Sequence, residues 1–218
     1  MMRELIARGI HDRRVLFAME DIPRHRFVPT ALREVAHCDS PLPIDFDQTI
    51  SQPYMVALML QALELQGTER VLEIGAGSGY QAALLGLLAS HVYAVEIIPT
   101  LARRARREID ALGLTNVHVI EGDGNAGYVR ARPYDAIVVA AAATAIPRPL
   151  LDQLAEGGRL VMPVGDQDGQ VLVRVTRQHG SLAGERLGPC RFVPLVTPHT
   201  ATPDTRKRIQ ANASANHV

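Results

Sequence analysis

Gly75, Gly77 and Gly79, at alternate positions in VLEIGAGSGYQAALL, open the part of the chain whose residue types can do chemistry. An apolar run ends at Gly75, the glycines carry a turn, and a helical pattern follows. Glycine accepts positive φ and lets a ligand approach the backbone without meeting a Cβ. A dinucleotide-binding turn, G-x-G-x-x-G, would put a glycine at position 80, where this chain has Tyr80. G-x-G-x-G favours a nucleoside cofactor with no phosphate at the turn. Glu96 follows at about the 20-residue distance at which a carboxylate meets the ribose hydroxyls of a nucleoside over such a turn. A carboxylate suits that place because it accepts both hydrogen bonds of a cis-diol. Glu121-Gly122-Asp123-Gly124 closes the next apolar run, where an adenine amino group finds an acceptor; a plain turn explains that composition equally well.

These residues need strands that end where the acids and glycines begin. The pattern predicts strands over Arg70–Gly75, His91–Ile97, Val117–Glu121 and Tyr134–Ala140. Helices are predicted over Tyr80–Ala89 and Thr100–Leu112, the latter with Pro99 at its start and Gly113 just past its end. A short helix runs from Pro147 to about Ala155. Strands Gly157–Val164 and Gln170–Arg177 then read as an antiparallel finish. The alternation is that of an α/β fold, a doubly wound and mostly parallel sheet. Upstream, helices are expected around Asp12–Glu20, Thr30–Ala36 and Pro53–Leu65, with the loop SPLPIDFDQTISQP between the last two.

Composition narrows the function class. Lys+Arg and Asp+Glu both number 23, so the formal charge is zero, which argues against binding nucleic acid or an anionic membrane by bulk potential. No apolar run approaches the ~18 residues of a spanning helix, and the N-terminal MMRELIARGIHDRR has no signal-peptide core. Cys38 and Cys190 make neither a disulfide framework nor a metal cage; they read as quiet buried thiols in a reducing cytoplasm. His11, His25, His37, His91 and His118 lack metal-ligand spacing, so no metal is expected. The Arg103-Arg104 and Arg106-Arg107 pairs read as a solvated helix face. Ala140–Ala143 keep side chains small, either to leave room for substrate or to pack a helix.

The glycine turn, Glu96 and the GDG segment together resemble a Class I S-adenosylmethionine-dependent methyltransferase. GIHDRRVLFAMEDIPRHRFVP, PLPI, QTISQPYMVALML, VLEIGAGSGYQAALL, VYAVEI, GDG, PYDAIVVAAAA, GGRLVMPVG and RFVPL resemble the protein-L-isoaspartate O-methyltransferase family, in order from about Gly9 to Leu195. TISQP is the most family-specific part. The resemblance implies methyl transfer from S-adenosyl-L-methionine, leaving S-adenosyl-L-homocysteine, to the free α-carboxylate of L-isoaspartyl residues in damaged proteins or peptides, with repair through a succinimide. It also implies Ser51 as the active-site residue. Thr49, Ile50, Gln52, Gly75, Gly77, Glu96, Asp123 and Gly124 carry over as cofactor-binding residues. On this reading residues 1–66 form a helical N-terminal segment with the substrate-side loop. Residues 67–196 are the cofactor-binding α/β domain and 197–218 a loose polar tail.

The chain departs from the family in one link. Asp45-Phe46-Asp47 stands where relatives carry a glycine-containing connection, so the acids either repel an anionic isoaspartyl peptide, select cationic neighbours in the substrate, or simply face solvent. Gly127-Tyr128 supplies the aromatic that the family often shows after GDG. Three other readings remain open on sequence: a methyltransferase dedicated to one encoded peptide aspartate, making an aspartimide; a nicotinamide oxidoreductase; and an idle cofactor-binding scaffold. No Asn/Asp-Pro-Pro-Tyr tetrad follows the fourth strand, which argues against nucleic-acid methylation.

Overall fold

A computed structural model of the chain describes residues 1–197. Its centre is a seven-stranded sheet built from β3 (Arg70–Ile74), β4 (His91–Glu96), β5 (Val117–Glu121), β6 (Tyr134–Val139), β7 (Leu154–Gly165), β8 (Gln170–Gln178) and β9 (Ser181–Cys190). The strands lie in the order β5-β4-β3-β6-β7-β8-β9. β5 to β7 run parallel, while β8 and β9 return antiparallel. Residues of β3 and β6 such as Val71, Leu72, Ile137 and Val138 are fully buried, as continuous apolar strands covered on both faces must be.

The chain leaves β3 toward β4 on one side and returns past it to β6 on the other. Strand order therefore reverses beside β3, and in an open parallel sheet the crevice at the carboxyl ends of such strands receives the ligand. α4 (Tyr80–Leu88) follows β3 and α5 (Pro99–Ala111) follows β4. α5 buries Leu101, Ala102, Ala105 and Ile109 along one face and turns most of its arginines outward.

The N-terminal segment packs over this end of the sheet. α1 (Met2–Ala7) and α2 (Arg13–Asp21) precede two 3₁₀ segments, Arg24–Phe27 and Thr30–Val35. The Asp12 side chain caps α2, accepting from the N–H groups of Arg14 at 2.8 Å and Val15 at 3.3 Å. A two-residue hairpin, β1 (Leu42–Pro43) with β2 (Thr49–Ile50), leads into α3 (Pro53–Ala62). Leu5, Val15, Phe27, Met59 and Leu60 share one apolar cluster with Val71, Ala83 and Val92 of the α/β part.

Four expectations need correction. Only β8 and β9 make the antiparallel finish, because β7 pairs parallel with β6 on its other side. β9 was not foreseen: it is an exposed edge strand carrying Gly184, Gly188 and Pro189, with little apolar alternation to mark it. α6 (Arg148–Asp152) ends sooner than predicted, and β7 starts at Leu154 rather than at Gly157. Thr30–Ala36 is 3₁₀ and not α-helical. The loose tail expected over 197–218 lies outside the described residues from 198 onward.

Candidate active site

The carboxyl ends of β3, β4 and β6 open into one cleft, at the place where an open parallel sheet receives its ligand. Its floor is the glycine turn. Gly75, Gly77 and Gly79 all take positive φ, at 84°, 52° and 88°. The N–H groups of Gly75 and Ala76 both reach the Val95 carbonyl, at 2.9 and 3.2 Å, which fixes the turn against β4. A Cβ on Gly79 would lie 3.0 Å from the Ala105 Cβ, so close packing of α5 also requires glycine there.

Glu96 ends β4 and is 5% exposed. One of its oxygens accepts from the Gly77 N–H at 2.8 Å and the other from the Ile98 N–H at 2.9 Å. Burial pushes its carboxyl up, and the N–H groups of Ile98 and Gly77 oppose that shift. Glu96 therefore braces the glycine turn while lining the cleft.

Glu73, which sequence reasoning missed, faces the same cleft from β3. It is completely buried, and neither oxygen has a hydrogen-bond partner. Burial first, and the Glu96 charge second, push its carboxyl up to about 8, while the neighbouring Gln81 amide opposes that shift. The only sign available in the sequence was an acid inside an otherwise apolar strand. Tyr80 and Gln81 of α4 also line the wall, with buried Tyr80 Oη and Gln81 Nε2 unpartnered. Burial raises the Tyr80 phenol to about 12.

The opposite wall comes from the substrate-side loop and from a returning segment. Thr49, Ile50 and Ser51 line the cleft, as do Gly75, Gly77, Glu96 and Gly124. Gln52 stands at the cap position of α3, outside that lining. Asp123 also stands outside it and spends its side chain on the Asn125 N–H at 2.9 Å. A side chain on Gly124 would force Ile74 to shift, since a Cβ would come 2.3 Å from the Ile74 Cγ2. Val193–Val196 complete the lining: the Ala142 N–H donates to the Val193 carbonyl at 2.9 Å and the Leu195 N–H to the Ala142 carbonyl at 2.7 Å. Ala140 and Ala141 thus wall the cleft, whereas Ala142 and Ala143 pair with extended backbone and not with a helix.

In the departing link, Phe46 and Asp47 take left-handed φ values of 65° and 56° in the β1–β2 turn, a conformation that glycine adopts freely. Asp45 reaches Arg104 at 3.4 Å, so that arginine is not purely solvated. Cys38 is exposed, contrary to expectation, because the turn after the second 3₁₀ segment leaves it outside the core; both cysteines are free. Among the described residues no group of three His, Cys, Asp or Glu side chains is placed to hold a metal.

Among the described residues the charged lining side chains are both acids, Glu73 and Glu96, and no Lys, Arg or His joins them. Two buried carboxylates, one without partners, suit a ligand that brings positive charge and disfavour one that brings pyrophosphate.

Comparison with known proteins places this geometry. The family profile described as Protein-L-isoaspartate(D-aspartate) O-methyltransferase (PCMT) matches residues 1–200. Protein-L-isoaspartate O-methyltransferase 1 of Syntrophobacter fumaroxidans is 56% identical over 193 residues, covering 88% of this chain and 90% of that protein. The protein-L-isoaspartate O-methyltransferase of Geobacter metallireducens is 56% identical over 194 residues, with 88% and 90% covered. Among solved structures, a protein-L-isoaspartate O-methyltransferase superposes with TM-score 0.80 at 29% identity, over 90% of this chain and 65% of that one. A Plasmodium falciparum relative solved with S-adenosyl-L-homocysteine superposes with TM-score 0.78 at 26% identity, over 89% and 96%.

Proposed function

The chain belongs to the protein-L-isoaspartate(D-aspartate) O-methyltransferase family, and we propose that it methylates the free α-carboxylate of L-isoaspartyl residues in damaged proteins and peptides, starting their return through a succinimide. The observation that carries the cofactor half of this reading is that the charged side chains lining the cleft, among the described residues, are both acids, with Glu73 left unpartnered. S-adenosyl-L-methionine, when bound, supplies a sulfonium methyl and brings the positive charge that this lining lacks.

Glu96 would hold the ribose hydroxyls, having lone pairs left after its two N–H contacts. Gly75 and Gly77 would let the cofactor lie against bare backbone, and Gly124 would leave space beside β5 for the base. Thr49, Ile50, Gln52 and Asp123 would shape the surrounding walls. Ser51 would donate its hydroxyl to the substrate carboxylate and aim one lone pair. No general base is needed, since a carboxylate with a reference pKa below about 4 is already ionised at neutral pH. Rate comes from alignment and from shedding water, effects worth up to ~7–11 kcal/mol when alignment is good.

Curated relatives named for isoaspartate favour repair over a methyltransferase dedicated to one peptide. A reducing, cytoplasmic setting is part of this reading, and two free cysteines support it; among the described residues no helix is long and apolar enough to cross a membrane. Neither nucleic acid nor a metal has a part in this reading. Incubation with labelled S-adenosylmethionine and an isoaspartyl peptide tests it: methyl ester should form on that peptide and not on its aspartyl twin.

A further inference from the structure

We infer that Arg24 is the buried counter-charge for the substrate carboxylate and the positioning residue that sets Ser51 to receive it. The inference rests on the reading that an isoaspartyl carboxylate meets Ser51.

Arg24 lies in the 3₁₀ segment Arg24–Phe27 and is 0% exposed. Its Nε donates to the Ala36 carbonyl at 2.8 Å and its Nη2 to the Ser51 carbonyl at 2.9 Å. Nη1 is buried with no partner. The guanidinium carbon sits 4.9 Å from the centre of the Tyr80 ring, the same ring that walls the cleft. No carboxylate among the described residues pairs with it. Its charge feels the Tyr80 phenol first and Asp39 after it, and the Asp39 oxygens already take the Arg8 guanidinium and the Tyr54 N–H. Burial accordingly lowers the pKa of Arg24.

A buried cation without an anion is costly, and protein interiors rarely keep one. Here it stands directly behind the residue assigned to the anionic substrate, separated from the cleft by the Ser51 backbone. That placement fits the chemistry. The carboxylate loses its charge as it takes the methyl, so a cation gripping the nucleophilic oxygen would hold the ground state more tightly than the transition state. A cation behind the peptide attracts the anion yet leaves its lone pairs free. Two bonds and a ring face also fix the guanidinium, so the Ser51 carbonyl, and with it the Ser51 hydroxyl, has a defined position. A lysine has neither the planar fork nor the stacking face.

The test compares two peptides of identical sequence, one with the isoaspartyl α-carboxylate and one with the α-carboxamide, binding to protein saturated with S-adenosylhomocysteine. A buried unit charge behind Ser51 predicts a preference of about tenfold or more for the carboxylate in the wild type. Because the charge is buried, the preference should persist when salt rises from about 0.05 to about 0.5 M. Arg24→Gln should erase most of it, a change that a merely structural role would not make selective for charge. Arg24→Lys should keep the preference and lose turnover through a misplaced Ser51. Undiminished preference in folded Arg24→Gln overturns the inference. Should that variant not fold, a wild-type preference that vanishes with salt, or one lost in Arg24→Lys, overturns it equally. Failure of the wild type to methylate any isoaspartyl peptide would instead strike the proposed function itself.

Discussion

Replacing Glu73 by Gln should change how many protons the protein exchanges when it binds its cofactor. Glu73 is fully buried with both oxygens unpartnered, and burial, then the Glu96 charge, raises its carboxyl to about 8. At pH 7 such a group is roughly nine-tenths protonated. A ligand carrying an ammonium, seated in a cleft whose lining has no cationic side chain among the described residues, favours the ionised form. Binding at pH 7 should therefore expel about 0.9 proton, falling to about 0.1 at pH 9. Because the neutral form prevails below about 8, the dissociation constant should fall nearly tenfold per unit as pH rises toward 8, then level off. Glu96 and Tyr80 face the same space. Glu96 keeps its two N–H partners in the free protein, and the Tyr80 phenol, near 12, does not titrate in this range. Calorimetric titration with S-adenosylhomocysteine at pH 7, in two buffers of different ionisation enthalpy, reads the proton number directly. Near 0.9 is expected for the wild type and near zero for Glu73→Gln. Equal numbers for the two proteins, or none for the wild type, would refute the reasoning.

The same carboxyl makes the ligand-free protein pH-sensitive. Its folded pKa lies above the ordinary 4.5, so its contribution is fully present below that value and lost as pH rises through about 8. Thermal scans should show the melting temperature falling from pH 6 to pH 9, and the slope flattening in Glu73→Gln. Ser51→Ala removes a hydrogen bond to a charged acceptor, roughly 1.5–3 kcal/mol, and should lower turnover by one to a few powers of ten with the fold intact; an unchanged rate at saturating cofactor contradicts its role. Glu96→Ala unties Gly77 and Ile98 as well as the ribose site, so cofactor affinity measured by calorimetry should drop about tenfold or more. Gly124→Ala places a methyl 2.3 Å from the Ile74 Cγ2 and should cost about 1–3 kcal/mol in denaturant unfolding.

The turn glycines and Glu96 were legible because few residue types can fill their places, whereas the TIS segment was reached only through the family resemblance. A sharp strand-to-helix turn demands glycine, and a diol demands a carboxylate at a strand end. Long apolar strands such as Tyr134–Val139 were legible for the same reason, since their composition admits no other environment. Glu73 and Arg24 were not, because a buried charge is decided by what packs around it from distant parts of the chain. Ala36, Ser51 and Tyr80 surround Arg24, and nothing in IPRHRF announces them. The Val193–Val196 wall was recognised as a motif but not as part of the site, since only its pairing with Ala142 brings it there. β9 escaped because an exposed edge strand needs no apolar alternation. Cys38 was misjudged on the general tendency of cysteine to be buried, which a surface turn overrode.

The central claim is that this cleft delivers a methyl group to a carboxylate displaced from its normal backbone position. The direct measurement supplies labelled S-adenosylmethionine with a peptide containing one L-isoaspartyl residue and with its L-aspartyl twin, and follows volatile methanol from the base-labile ester. Label in the isoaspartyl peptide alone is the expected result. Equal label in both, or in neither, contradicts the account.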